Sequence, residues 1–201
     1  LQDHGILGPK TILGHCIHVN TAEMEIIRET DTMVVNNPES NMGNAVGISP
    51  VLQLYRHGIL LGMGTDAYTN DMLESLKVAL CSQRHNACLP NVGWCEVTDM
   101  LFKNNAKIGA RYFETPLGVL KSGAAADIIV MDYKPFTPFS NENIDGHMIF
   151  GMTGRQCQTT IANGRVLMLD RELVGVDEEV ENAHILEAAK KLWGELNHRT
   201  Y

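Results

Sequence analysis

Asp66 closes the run Leu61-Gly62-Met63-Gly64-Thr65, and His15 closes Ile12-Leu13-Gly14. Each places a side chain able to bind a metal or move a proton at the end of an apolar, strand-like segment. A carboxylate delivered there by buried backbone is costly to hold unless a metal, a cation or a proton donor meets it. Asp66 is therefore a candidate ligand and general base. An Asp just past a strand also serves as a turn or N-cap residue, and a single His in an apolar strand is commonly a core residue. Types and spacing alone leave both readings open.

A second candidate group is Asn37-Pro38-Glu39-Ser40-Asn41. It follows the strand signal of residues 31–36, so Asn37, Ser40 and Asn41 can either contact a substrate or close Asx-type turns. Met42-Gly43-Asn44-Ala45-Val46-Gly47 lacks the lysine and the tight glycine spacing of a phosphate-cradling loop. His18, three residues after His15, faces the other side of a strand and does not form a paired metal motif with it.

The elements that position these residues alternate. Residues 10–19 read as a strand buried on both faces, and Asn20 with Glu23 forms a capping-box signature for a helix reaching Arg28. Residues 31–36 read as a second strand, followed by a polar loop to Gly47 and a helix over 48–57. Residues 59–64 are a third strand, residues 70–84 an amphipathic helix, and residues 96–113 a further helix. Strand–helix alternation demands right-handed parallel crossovers and an α/β sheet, whose polar site lies at the carboxyl ends of the strands. From Gly118 the texture changes to strands at 127–132 and 148–150 and a hairpin through Asn163-Gly164, a pair suited to positive φ. The final helix, 178–196, carries Ile185, Leu186, Ala189, Leu192 and Trp193 on one stripe expected to pack back on the fold. The opening Leu1-Gln2-Asp3-His4-Gly5 reads as a helix end closed by glycine, as if the chain began mid-fold.

Composition bounds the rest. The 201 residues are 44% hydrophobic and carry a net charge of -8, with no basic stripe for nucleic acid or anionic membrane. The five cysteines form an odd set without a CxxC pair, and no run is apolar and long enough to span a bilayer. A reducing cytoplasm is the expected compartment, and the cysteines receive no role.

In order and spacing, Gly14-His15-Cys16-Ile17-His18, Asn37-Pro38-Glu39-Ser40-Asn41 and Gly64-Thr65-Asp66 resemble the metal-dependent amidohydrolase superfamily, in its aminohydrolase and chlorohydrolase branch. Residues 104–111, 118–132 and 163–165 resemble that branch's late helix, its return to a β-sandwich and its closing hairpin. The resemblance implies the carboxyl-terminal part of a (β/α)8 TIM-type barrel. Residues 1–117 would supply strands six to eight, residues 118–172 the β-sandwich strands and residues 173–201 a carboxyl-terminal helical segment.

It further implies that Asp66 is the eighth-strand metal ligand and base, and that His15 hydrogen-bonds the attacking oxygen. The reaction implied is attack of metal-bound hydroxide on a C–N bond of a small nitrogen heterocycle, with loss of ammonia; hydrolysis of a C–Cl or amide bond is the alternative. The cofactor implied is a divalent metal, zinc before iron. A small-molecule substrate and the amino-terminal half of the barrel are the expected partners, with a homodimer as a possible assembly. The family's first-strand His-x-His, fifth-strand His and adjacent Glu have no match in this chain. The chain by itself is therefore expected to be inactive; the alternative of a different class is a non-catalytic fragment or binding module that complements a missing amino-terminal half.

Overall fold

The computed structural model describes residues 1–199, so the last two positions of the expected carboxyl-terminal segment lie outside it. The chain divides into two units, Leu1–Ala125 with Asp132–Gln156, and Ala126–Met131 with Cys157–Tyr201.

In the first unit, β1 (Ile12–Gly14), α1 (Thr21–Glu29), β2 (Met33–Asn36), α2 (Pro38–Gly43), α3 (Val51–Arg56), β3 (Leu61–Met63) and α4 (Met72–Ala87) follow one another. The three strands are parallel in the order β1-β2-β3, with Leu13 beside Val34 and Val34 beside Leu61. Met33 and Val34 are adjacent in β2 and so point to opposite faces, yet both are fully buried. That is the expected signature of a parallel sheet covered on both sides. The capping box forms as read: Glu23 N–H donates to Asn20 Oδ1 at 3.0 Å and Asn20 N–H to Glu23 Oε2 at 2.8 Å.

Three expectations change here. The strand expected over 10–19 is regular only through Gly14, because His15 and Cys16 turn to φ 65° and 45° and carry the chain out of the sheet. The loop expected after Asn37 contains α2, for which Pro38 presets the first helical φ and Glu39 sits favourably in the first turn. The helix expected over 96–113 is α5 (Trp94–Asp99), a π-helical turn at Met100–Asn104, and α6 (Asn105–Gly109). Asn104 Nδ2 donates to Leu61 O, while Asn105 donates to Met63 O and accepts from Met63 N–H. These side chains serve β3 on the side away from β2.

The strand expected at 148–150 is also corrected. After β4 (Ile128–Met131), α7 (Ile144–Gly146) runs into a π-helical turn at His147–Gly151. Ile149 is fully buried and joins the core formed by Leu54, Leu61, Leu76, Leu80 and Met100. His147 and Ile149 are both buried, as a strand would bury them, but Met152 N–H donates to His147 O at 2.9 Å and closes the segment as a π-turn.

The second unit is a four-stranded antiparallel sheet of β4, β5 (Cys157–Ala162), β6 (Arg165–Leu169) and β7 (Glu172–Leu173), in that order. The β5–β6 hairpin turns as expected through Asn163 at φ 47° and Gly164 at φ 76°. The last helix, α8 (Glu178–Asn197), starts on Asp177, whose Oδ1 accepts from Glu179 and Val180 N–H. Its apolar stripe does not pack back as expected: Leu186 and Trp193 are each 62% exposed, and no residue of α8 is buried. Among the described residues, no helix is long and apolar enough to cross a membrane.

Candidate active site

Parallel strands put their carboxyl ends on one edge, so β1, β2 and β3 deliver His15, Asn37 and the Gly64-Thr65-Asp66 turn to the same place. His15 N–H donates to Val35 O at 2.8 Å and Gly64 N–H to Asn36 O at 2.9 Å, which fixes the register of that edge. A Cβ at Gly64 would lie 2.5 Å from Asn37 Oδ1, so any larger residue there would have to push the Asn37 amide aside. Because α2 begins directly after β2, Ser40 and Asn41 lie over the same strand ends.

The five residues singled out from sequence are brought together. Ser40 Oγ–H donates to Asp66 Oδ2 at 2.7 Å, and Ala67 N–H donates to Asp66 Oδ1 at 2.7 Å. His15 Nε2 stands 3.5 Å from Asp66 Oδ2. The Ser40 hydroxyl first, then the Ala67 amide and the nearby His15, hold the Asp66 carboxyl below the usual carboxylate range. Asp66 thus stays an anion at neutral pH, and its side chain remains 40% exposed and reachable. Asn41 Oδ1 meets His15 Nδ1 at 2.7 Å, and Asn37 Nδ2 lies 3.4 Å from Nε2.

Two residues outside the predicted site set, Asn36 and Asn44, support these five. Asn41 Nδ2 donates to Asn36 Oδ1, and Asn44 Nδ2 donates to Ser40 Oγ. The Asn36-Asn37 doublet ending an apolar strand was the available signal, since one of two adjacent strand residues must point inward. Glu39 also lies outside that set; it accepts from Ser75 Oγ of α4 at 2.7 Å, and burial pushes its carboxyl up. His15, Cys16 and Asp66 all have positive φ, which is uncommon outside glycine and which His and Asp adopt more readily than most residues.

Among the described residues, no three His, Cys, Asp or Glu side chains come together as a metal site. Asp66, an ionised and accessible carboxylate, fits as one ligand. The chain's own donors do not complete a tetrahedral sphere. A separate cavity of about 360 Å³ is lined by Tyr133, Phe136, Thr137 and His147, away from these residues. There His147 is held at both ring nitrogens, by Tyr133 Oη at 2.6 Å and Thr137 Oγ1 at 3.3 Å.

The model of the amidohydrolase family matches residues 1–167. The chain belongs to the amidohydrolase family. It is 30% identical, over 98% of its length, to a 5'-deoxyadenosine deaminase of Methanosarcina mazei and spans 46% of that protein. It is 34% identical, over 86% of its length, to a 5-methylthioadenosine/S-adenosylhomocysteine deaminase of Thermococcus onnurineus, of which 41% is covered. Among solved structures, an adenosine deaminase of Xanthomonas campestris with bound zinc superposes on 96% of the chain with a TM-score of 0.83. The sequences are 21% identical, and 45% of that structure is covered. This amidohydrolase chain thus spans about half the length of the curated relatives it matches. Its fold is that of part of an amidohydrolase barrel, in line with the resemblance read from its motifs.

Proposed function

We propose that this amidohydrolase chain is the carboxyl-terminal half of a metal-dependent deaminase that hydrolyses a C–N bond of a small nitrogen heterocycle. The observation that carries the reading is the Ser40–Asp66–His15 cluster: an ionised, accessible carboxylate beside an imidazole at the carboxyl edge of a parallel sheet. The deaminases it matches favour a purine nucleoside as substrate class. On this reading residues 1–117 supply barrel strands six to eight, residues 118–172 sandwich strands and residues 173–201 the carboxyl-terminal segment.

A divalent metal, zinc on this proposal, supplies a water acidic enough to attack near neutral pH when bound. The chain's residues do the remaining work. Asp66 contributes one ligand and takes the proton of the attacking water, a role for which its low pKa and the Ser40 hydrogen bond keep it ionised. His15 Nε2 hydrogen-bonds the oxygen as it adds to the ring carbon, while Asn37, Ser40 and Asn41 orient the substrate from β2 and α2. For the C–N bond to break and ammonia to leave, that proton must reach the departing nitrogen, and on this proposal the acid that carries it would come from the amino-terminal half. The cytoplasm is the proposed compartment and a homodimer the proposed assembly, the latter to be read by light scattering.

The test is an ammonia-release screen of the complete gene product over purine nucleosides, pyrimidines and related amidines. Release from at least one nucleoside is expected, with Asp66→Asn lowering kcat at least ~100-fold while leaving the thermal transition in place. Retained turnover in Asp66→Asn overturns the assignment of the base; release from no heterocycle overturns the deaminase reading. The 201-residue chain alone should hold little zinc after dialysis, and a stoichiometric ion would contradict the incomplete ligand set.

A further inference from the structure

The cluster at the strand edge is polar: His15, Asn37, Ser40, Asn41 and Asp66 supply charge and hydrogen bonds but little apolar surface. The faces of a flat heterocycle need such a surface. The loop that carries Asp66 brings one. Asp66 Oδ2 accepts from Ser40 Oγ, and two residues further on the phenolic end of the Tyr68 ring rests on Gly43, where a Cβ would collide with Tyr68 Cζ, Oη and Cε2. Ser40 and Gly43 lie three residues apart on α2 and so share one face of it. The loop is thus laid along α2, carboxylate against hydroxyl and ring against glycine. Beyond Tyr68 it is held by Asp71, whose Oδ1 accepts from Leu73 and Glu74 N–H while its Oδ2 accepts from Gly154 N–H at 2.7 Å. The loop is pinned on both sides of the ring, yet Tyr68 remains 57% exposed. Its apolar surface is held in place beside Asp66 and is not used by the fold.

We infer that Tyr68 is a specificity-determining residue, whose open ring is the platform on which the flat heterocycle of the substrate stacks, seated by the absence of a side chain at Gly43. Stacking on an aromatic ring tolerates any base, since every base has a π-face. Tyr68 therefore selects a planar ring system over an aliphatic amide, and leaves the choice among bases to the polar residues. Gly43 touches no substrate and acts only through the ring. The inference rests on the proposed function and adds to it the means by which the heterocycle is held.

The experiment uses the complete gene product in two measurements: ammonia release from a purine nucleoside, and titration with 2-aminopurine riboside, whose fluorescence falls when its base stacks. Tyr68→Ala should raise KM about 10-fold or more while kcat moves far less, and should abolish the fluorescence loss. Tyr68→Phe, which keeps the ring, should recover both. Gly43→Ala should raise KM in the same direction, and the double variant should be no worse than Tyr68→Ala alone, because the glycine acts through the ring. If Tyr68→Ala does not fold by circular dichroism, Tyr68→Leu carries the same test, keeping apolar bulk without a flat face. An unchanged KM in the folded variant, or a loss confined to kcat, overturns the platform and leaves the deaminase reading standing. If the native protein releases no ammonia, the deaminase reading fails and the fluorescence titration still decides: a Tyr68-dependent loss upholds the platform, and its absence overturns it.

Discussion

In the parallel unit Met33, Val34, Leu61 and Leu80 are wholly buried, whereas every residue of β5 keeps partial exposure, and Leu169 of β6 and Leu186 of α8 are 53% and 62% exposed. The first region is ordered by burial: strands covered on both faces, helices packed on them, and a polar cluster confined to one edge. The second is ordered by local devices, chiefly the Asn163-Gly164 turn, the antiparallel ladder and the Asp177 cap. Site precision follows the first kind of order. Side chains such as Asn36 and Asn41 can hold a fixed geometry because packing leaves their hydrogen bonds no competitor.

The sharpest way to break this contrast is a matched pair of truncations followed by urea denaturation. Leu61→Ala removes a fully buried side chain and should lower the unfolding free energy by about 2–5 kcal/mol. Leu192→Ala, at a position 55% exposed, should stay within about 0.5 kcal/mol. A cost for Leu192→Ala as large as that for Leu61→Ala would show the α8 stripe to be covered in solution.

A smaller effect separates side-chain support from turn geometry. Asn105→Leu leaves Met63 N–H and C=O without their amide partner and should cost about 1–3 kcal/mol. Asn163→Ala places a Cβ residue that favours right-handed backbone at φ 47° and should cost about 1 kcal/mol. Equal tolerance of both substitutions would remove the distinction.

The smallest change is electrostatic. Ser40 is the first cause of the lowered Asp66 pKa, so Ser40→Ala should move that carboxyl back toward the ordinary range in an NMR pH titration. A folded pKa below the unfolded one gives stability that is present above the unfolded value and lost as pH falls through the folded value. Ser40→Ala should therefore shorten the acid side of the stability profile; an unmoved midpoint would assign the depression to the Ala67 amide and His15.

How legible each feature was depended on how much of it lies in adjacent residues. The Asn20–Glu23 box and the Asn163-Gly164 turn were readable because two residues contain the whole device. His15 and Asp66 were placeable because parallel topology by itself sends strand ends to one edge. The Asn36–Asn41 amide pair was not readable, since its direction depends on which side of β2 faces α2. Nor was the π-helical turn at Met100–Asn104, whose Asn104 side chain is spent on Leu61 O in a distant strand. The helical state of His147–Gly151 likewise depends on a core that three hydrophobic letters do not reveal.

The positive φ angles at His15 and Asp66 carry one further consequence. Glycine would relieve roughly 1 kcal/mol or more of backbone strain at each position. Replacing either residue with glycine should therefore trade the contact of His15 with Asn41, or of Asp66 with Ser40, for a more relaxed backbone.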